Sequence, residues 1–201
     1  ALEKLFLNQT RIGDRGAASL GRLRNLKWLS LQSTEITDEG LPKLAGLRQL
    51  DTLFLNSTRV RDEGMRHLVL MPRLTALYLS FTSVGDAGLE DIAKIHGLKC
   101  LVLGNASVTD AGVAKLQGLK HLELLNLDGT QITDACLPGL AGSTSLKVLV
   151  LSNTQITDRG VVELKALPHL QTLWVFNTQV SDAAIAEIKA ALPACRIRRM
   201  E

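Results

Sequence analysis

Aromatic residues are scarce in this sequence, and long hydrophobic runs and an excess of one charge are missing from it. Aromatics make up 3% of the 201 residues, and the formal net charge is only +3. A membrane-spanning helix needs about 20 consecutive apolar residues, and the sequence has no such run. A nucleic-acid footprint needs Lys and Arg gathered on one face, and the sequence gives no sign of one. We therefore expect no membrane insertion of this chain and no nucleic-acid partner.

Cysteine is scarce as well. Cys100, Cys136 and Cys195 have no pairwise spacing typical of a metal site, and their odd number argues against a disulfide-capped extracellular domain. The sequence therefore predicts free thiols in a reducing compartment such as the cytoplasm, with no metal site and no cofactor. No secretory signal is visible, but a leader or anchor upstream of the sequence remains open.

What the sequence does contain is one 24-residue unit in eight copies, with the pattern LxxLxLxxTxITDxGLxxLxxL and two variable residues. The copies begin at Leu2, Leu26, Leu50, Leu74, Leu98, Leu122, Leu146 and Leu170, without insertion or deletion. A unit this small cannot bury its own apolar face, so neighbouring copies must stack into an elongated solenoid. We assign residues 1–193 to the solenoid and residues 194–201 to a basic C-terminal cap or tail. In the first copy, Leu2, Leu5, Leu7 and Ile12 form an open apolar edge through which the chain could self-associate.

Each unit reads as a strand, a turn, a short helix and a loop. The leucines at positions one, four and six predict a strand of a parallel sheet with an apolar inner side. Threonine at position nine is expected to hydrogen-bond backbone groups that the following turn leaves unpaired. Aspartate holds position thirteen in all eight copies. Apolar residues at positions sixteen, nineteen and usually twenty-two predict a short helix behind that aspartate.

Two columns of recurring residues within this chain need an interpretation. We interpret the aspartates as helix N-caps. The alternative is a calcium ladder, which is disfavoured because calcium takes six to eight oxygen ligands and the column offers few others. Glycine holds position fifteen in most copies, and a small residue there suits a tight first turn packed closely on the next unit.

The pattern resembles the leucine-rich repeat, as in LKWLSLQSTEIT and LKVLVLSNTQIT, with threonine where that family usually has asparagine or cysteine. The extension ITDxGLxxLxxL is similar to repeats of ribonuclease-inhibitor-like and F-box-associated proteins, and to bacterial proteins that carry TxITDxGL. The resemblance covers residues 2–193. It implies an α/β fold of eight repeats, a right-handed horseshoe with a concave parallel sheet and short helices on the convex side. It also implies a non-enzymatic protein that binds partners on the concave face.

The few aromatic residues all fall at strand or turn positions that point away from the predicted core. Strand alternation turns positions three and five outward, and positions seven and eight continue that surface. The candidate protein-binding residues are Phe6, Trp28, Phe54, Tyr78, Phe81, Val102, Leu124, Val150, Trp174 and Phe176. Strand propensity alone could place such residues there. We favour a partner-binding patch, because polar residues would cost little on a solvated face. The aromatics form two groups, one in the first four units and one about 20 Å away in the last.

The sequence therefore favours a module that binds a protein partner of unknown identity, with no catalytic function. No phosphate-binding glycine loop, metalloprotease helix or nucleophile elbow is present. One alternative is the substrate-recognition part of a larger enzyme complex, such as a ubiquitin-ligase receptor. Another is a structural or self-associating scaffold. A designed array is disfavoured by irregular residues such as Arg61, Ala106 and Cys136.

Overall fold

The computed structural model describes residues 2–140 and 142–199, and it consists of one open parallel sheet with short helices behind it. The nine strands pair in sequence order. They are β1 Lys4–Phe6, β2 Trp28–Ser30, β3 Thr52–Phe54, β4 Ala76–Tyr78, β5 Cys100–Val102, β6 Leu124–Asn126, β7 Val148–Val150, β8 Thr172–Trp174 and β9 Arg196–Arg198. Each residue pairs with the one 24 positions later, as Leu29 does with Leu53. Because this register equals the repeat length, every repeat position forms a column along the solenoid.

The last strand, β9, is one more than the eight copies predict. Arg196–Arg198 pairs in parallel with Thr172–Trp174, in the same register as the other strands. The repeat pattern does not reveal it, because Ala194 and Arg199 stand where the unit has leucine at positions one and six. The strand lies inside the segment 194–201 that we assigned to a C-terminal cap or tail. Met200 and Glu201, at the end of that segment, lie outside the described residues.

The helices behind the sheet are short and differ between copies. The α-helices are α1 Asp14–Leu20, α2 Asp62–Met65, α3 Asp86–Ile92, α4 Asp110–Lys115, α5 Leu137–Leu140, α6 Asp158–Val161 and α7 Asp182–Ala191. Tighter 3-10 turns span Leu41–Leu44, Leu68–Leu70, Leu116–Gly118, Asp134–Cys136 and Val162–Ala166. Pro42 is the second residue of the first of these turns and Pro138 is the second residue of α5, positions at which proline is tolerated because the N–H would have no helical partner. None of the helices in the described ranges is long and apolar enough to cross a membrane.

The core lies between the sheet and the helices and consists mainly of leucine, with isoleucine and valine as the next most common residues. In the second copy, the apolar side chains at positions one, four, six, eleven, sixteen, nineteen and twenty-two are fully buried: Leu26, Leu29, Leu31, Ile36, Leu41, Leu44 and Leu47. Burying one such side chain contributes about 1.5–3 kcal/mol, so stacking supplies most of the stabilisation. In the first copy Leu2 stays 50% exposed, and Leu5 and Leu7 are only partly buried.

The threonine column confirms its predicted role. In seven copies the hydroxyl at position nine donates to the carbonyl oxygen three residues earlier, at 2.5–2.8 Å. Thr58, for example, donates to the carbonyl of Leu55 at 2.6 Å. This bond satisfies a carbonyl at the end of the strand, where the chain leaves the sheet. Ala106 lacks a hydroxyl, and only its backbone N–H reaches the equivalent carbonyl, that of Leu103.

The aspartates at position thirteen bind the next repeat instead of capping their own helices, so the N-cap interpretation is wrong. In α4, the N-cap is Thr109, whose side chain accepts from Ala111 N–H, and Asp110 is the first helical residue. The Asp110 carboxylate instead accepts two bonds from the next copy, from Thr133 N–H at 2.8 Å and from Thr133 Oγ1 at 2.7 Å. In seven copies the aspartate accepts a hydrogen bond from the backbone N–H at position twelve of the following copy. The column therefore links neighbouring repeats at the point where each chain segment enters its helical turn.

Candidate functional site

The outward side of the sheet, here called the aromatic face, carries a row of touching rings on its first four strands. Phe6 and Trp28 have ring centroids 6.4 Å apart, and Trp28 and Phe54 are 5.0 Å apart. Phe54 and Tyr78 stack at 4.1 Å with an interplanar angle of 12°. The amine of Lys4 lies 5.8 Å from the Trp28 ring centroid, within cation–π range. Because each ring is in contact with its neighbours, this row is a preordered apolar surface.

Beyond the row, the face dips into an apolar groove. The groove has a volume of about 560 Å³. Tyr78 stands at one end, and Trp174 with Phe176 stands at the other, their rings 5.4 Å apart and edge to face. The remaining lining residues are Val102, Leu124, Asn126, Asp128, Val148, Val150, Ser152 and Asn153. Tyr78 and Trp174 lie four strands apart, about 19 Å.

The groove joins the two aromatic groups that lie apart in the sequence. Of the predicted residues, Tyr78, Val102, Leu124, Val150, Trp174 and Phe176 line it together. Phe6, Trp28 and Phe54 extend the surface from the Tyr78 end. Trp174 is 39% exposed and Phe6 is 60% exposed, so rings at both ends of the face are open to solvent.

Phe81 lies apart from this groove. It lines a shallow depression at the turns that follow the strands, together with Ser57, Thr58 and Arg59. Its φ angle is +56°, in the left-handed region that disfavours bulky side chains, and 63% of the residue is exposed. The equivalent positions hold Gln9, Ser33, Ser57, Asn105, Gly129, Asn153 and Asn177, all with positive φ. A large exposed aromatic is thus held where the fold favours a small or polar residue.

Polar atoms are few in the groove. The Asp128 carboxylate accepts a 2.7 Å hydrogen bond from the Asn153 side-chain amide at its rim. Burial, with the Cys100 thiol next to the hydroxyl, raises the pKa of Tyr78 to about 12, so this ring stays neutral and keeps a donor. Burial also raises the pKa of the Cys100 thiol. These groups can orient a ligand, but none is activated as a nucleophile.

Charged residues are absent from the central strands of the aromatic face. From β2 to β8, neither outward strand position carries a charged side chain: these are Trp28, Ser30, Thr52, Phe54, Ala76, Tyr78, Cys100, Val102, Leu124, Asn126, Val148, Val150, Thr172 and Trp174. Within the described strands, charge appears at these positions only on the outer two, as Lys4 in β1 and as Arg196 and Arg198 in β9.

The described part of the chain contains no group of three or more His, Cys, Asp or Glu side chains that could hold a metal. The three cysteines are free thiols. Burial, then the neighbouring charge of Asp110, raises the pKa of Cys136 to about 12, and burial raises the pKa of Cys195. Within residues 2–140 and 142–199, all three thiols are therefore protonated at neutral pH.

Sequence reasoning missed several groove residues. Asn126 stands at outward position five, and Asp128 and Asn153 stand at positions seven and eight, but a search for aromatic and branched residues passes over them. Arg196 and Arg198 fall in the segment predicted to be a tail, although strand pairing places them beside Thr172 and Trp174. The alternation of an RIR triplet after a short loop was the available signal for them.

Two sequence families match parts of the chain. "Leucine Rich repeats (2 copies)" matches residues 144–187, and "Leucine Rich repeat" matches residues 22–45 and 72–93. A comparison with curated proteins gives no match.

Solved structures with a similar fold include two internalins of Listeria monocytogenes. InlF has a TM-score of 0.71 and 20% identity over 98% of this chain, and this chain covers 60% of its length. Internalin C2 has a TM-score of 0.74 and 26% identity over 94% of this chain and 84% of its own. The plant peptide hormone receptor RGFR1, in complex with RGF2, has a TM-score of 0.60 and 15% identity over 98% of this chain and 35% of its own. These likenesses confirm the α/β solenoid expected from the repeat.

Proposed function

The chain is a leucine-rich repeat protein, and from this premise we propose that it is a non-enzymatic module that binds a protein segment along its aromatic face. The observation that carries the proposal is the apolar groove between Tyr78 and Trp174. Exposing a largely apolar, ring-lined depression of this length to solvent brings the free protein no stability, whereas a partner gains contact area from it.

The shape of the groove favours an elongated ligand. Its long axis crosses β4 to β8, about 19 Å, a length that an extended peptide of about six residues spans. The rings of Trp174 and Tyr78 at its ends are of the type that most often anchor protein interfaces. The stacked row from Phe6 to Tyr78 prolongs the apolar surface for a longer partner.

A likeness in fold adds general support. One of the similar structures is that of a plant peptide hormone receptor in complex with RGF2. For the present chain we propose only that it recognises a polypeptide, and the identity of this partner is left to experiment. Substrate recognition within a larger enzyme complex is compatible with the same groove.

The test is a selection of ligands from a displayed library of random peptides of about twelve residues, long enough to exceed the groove. Selected peptides are then titrated against the parent and against Leu124→Glu, which puts a carboxylate on the groove lining. We expect at least a roughly tenfold loss of affinity, because the apolar ligand must desolvate that charge. Leu70→Glu is the matched control, since Leu70 lies outside the groove and is 59% exposed.

Equal binding of the selected peptides by the parent, Leu124→Glu and Leu70→Glu would place their site elsewhere and reject the proposal. A library that yields no enriched peptide would also count against it. Retained far-ultraviolet circular dichroism in both variants ensures that affinity, not folding, is compared.

A further inference from the structure

Two arginines lie on the strand next to the Trp174 end of the groove, where the sheet register rather than the repeat pattern of the sequence places them. Trp174 pairs with Arg198 across β8 and β9, and Thr172 pairs with Arg196. Residues paired in this way lie on the same side of the sheet, about 4.8 Å apart. Both arginines therefore stand next to the Trp174 end of the groove.

These two arginines are available to a ligand. Both residues are exposed, and neither forms an ion pair with any residue in the described ranges 2–140 and 142–199. Their neighbour Arg199, in contrast, pairs with Asp182. The guanidinium group presents a planar fork of donors that fits a carboxylate.

Resting on the proposed function, we propose that the ligand of the groove is a peptide segment with an apolar stretch and acidic side chains on one side of it. The apolar stretch lies over the uncharged strands β4 to β8, and the acidic side chains reach Arg196 and Arg198. The arrangement follows from charge complementarity, because the strand side chains Val102, Leu124 and Val150 of the groove are apolar and the outward side chains of β9 are basic. The Asp128 carboxylate in the lining already accepts a hydrogen bond from Asn153.

An alternative use of the arginines is edge protection. β9 is the outermost strand at its end of the sheet in the described residues, and charged side chains on an edge strand discourage pairing with another chain. The two roles differ in what the loss of the arginines changes: ligand affinity in the first case, oligomeric state in the second.

The experiment uses the peptides selected on the parent protein. Their sequences are expected to be enriched in Asp and Glu on one side of an apolar stretch, relative to the unselected library. The double variant Arg196→Gln and Arg198→Gln is expected to bind them roughly five- to tenfold more weakly, as for the loss of two solvent-screened ion pairs. Raising the salt concentration should weaken the parent's binding more than that of the variant.

A charge-matched control separates a local contact from the general attraction of a basic protein. The double variant Arg22→Gln and Arg24→Gln removes the same number of positive charges at exposed sites outside the groove, and it should bind like the parent. Equal weakening in both double variants would overturn the proposal.

Two further results would overturn it without touching the proposed function. One is a set of selected peptides that lose affinity with Leu124→Glu but carry no acidic enrichment. The other is an Arg196→Gln and Arg198→Gln variant that self-associates while its peptide affinity stays unchanged, which would assign the arginines to edge protection. Selected peptides whose affinity is the same for the parent and for Leu124→Glu would instead reject the proposed function itself.

Discussion

The hydroxyl of Thr133 donates a 2.7 Å hydrogen bond to Oδ2 of Asp110, the aspartate of the preceding repeat. The oxygen of this hydroxyl also accepts from Ala135 N–H at 3.3 Å, so Thr133 caps its own helical turn while it binds the neighbouring copy. Thr133 N–H also donates to Asp110, at 2.8 Å. The pair thus couples the start of one helical turn to the repeat before it.

This coupling predicts the outcome of a double-mutant cycle. Asp110→Ala should lower the free energy of unfolding by about 1–3 kcal/mol, because two donors of Thr133 lose their acceptor. Combined with Thr133→Ala, the loss should fall short of additivity by at least about 0.5 kcal/mol in urea denaturation. Asp110→Ala combined with Thr157→Ala is the control, since Thr157 bonds to Asp134. If the Asp110 and Thr133 changes are additive, the hydroxyl bond between the two repeats contributes no stability.

The aspartate link also limits the space at position fifteen, which holds glycine in six copies and Cys136 and Ala184 in the other two. A Cβ on Gly112 would lie 2.3 Å from Oδ1 of Asp86, the aspartate of the preceding copy. Replacing glycine with alanine inside a helix normally stabilises it by up to about 1 kcal/mol. Gly112→Ala should instead destabilise the protein, because Asp86 must move away from Thr109.

Gly118→Ala provides the comparison for Gly112→Ala, as the nearest atom to its added Cβ is 4.0 Å away. Thermal unfolding should show a lower midpoint for Gly112→Ala and little change for Gly118→Ala. A stability gain in the Gly112 variant would show that the carboxylate adapts without loss.

Phe81→Asn should stabilise the protein by about 0.5–1 kcal/mol, because asparagine tolerates the left-handed conformation better than phenylalanine does. Phe81 adopts that conformation at φ +56°, and asparagine occupies it at the equivalent Asn105 and Asn153. Phe81→Ala also removes the ring, but alanine does not favour the left-handed conformation as asparagine does, so this variant should change the free energy of unfolding less. Chemical denaturation of both variants measures the difference, and equal stabilities would mean that the backbone of Phe81 is not strained.

Buried thiols predict an alkaline loss of stability. Because the pKa of Cys136 is raised to about 12, the folded state holds a proton that the unfolded state releases above pH 9.0. The resulting stabilisation is complete below that pH and declines as the pH rises toward 12, by about 1 kcal/mol at pH 10. Cys136→Ala, which introduces the residue that Ala184 supplies at the same repeat position, should reduce the decline in urea denaturation between pH 7 and pH 10. Parallel declines in parent and variant would contradict the burial effect.

Much of the fold could be predicted from the sequence, because the leucine, threonine and isoleucine or valine positions recur in seven or all eight copies. The role of Asp110 could not be predicted in the same way. N-capping is inferred from neighbouring residues, whereas the partner of Asp110 is Thr133, 23 residues later. β9 was missed because Ala194 and Arg199 interrupt the leucine pattern. The aromatic positions could be listed from alternation alone, but their union in one groove depends on the side chains of Val102, Leu124 and Val148 between them. That this groove binds a partner stays a prediction.

The two tryptophans of the chain offer a direct readout, because both lie on the aromatic face. In a Trp28→Phe variant, which keeps an aromatic ring in the stacked row, fluorescence reports on Trp174 alone. Trp174 is 39% exposed at the end of the groove, so acrylamide should quench it readily in the free protein. The measurement we would make is this quenching, with and without a saturating selected peptide. The account predicts a clear fall in the quenching constant on binding, and an unchanged constant at saturation would contradict it.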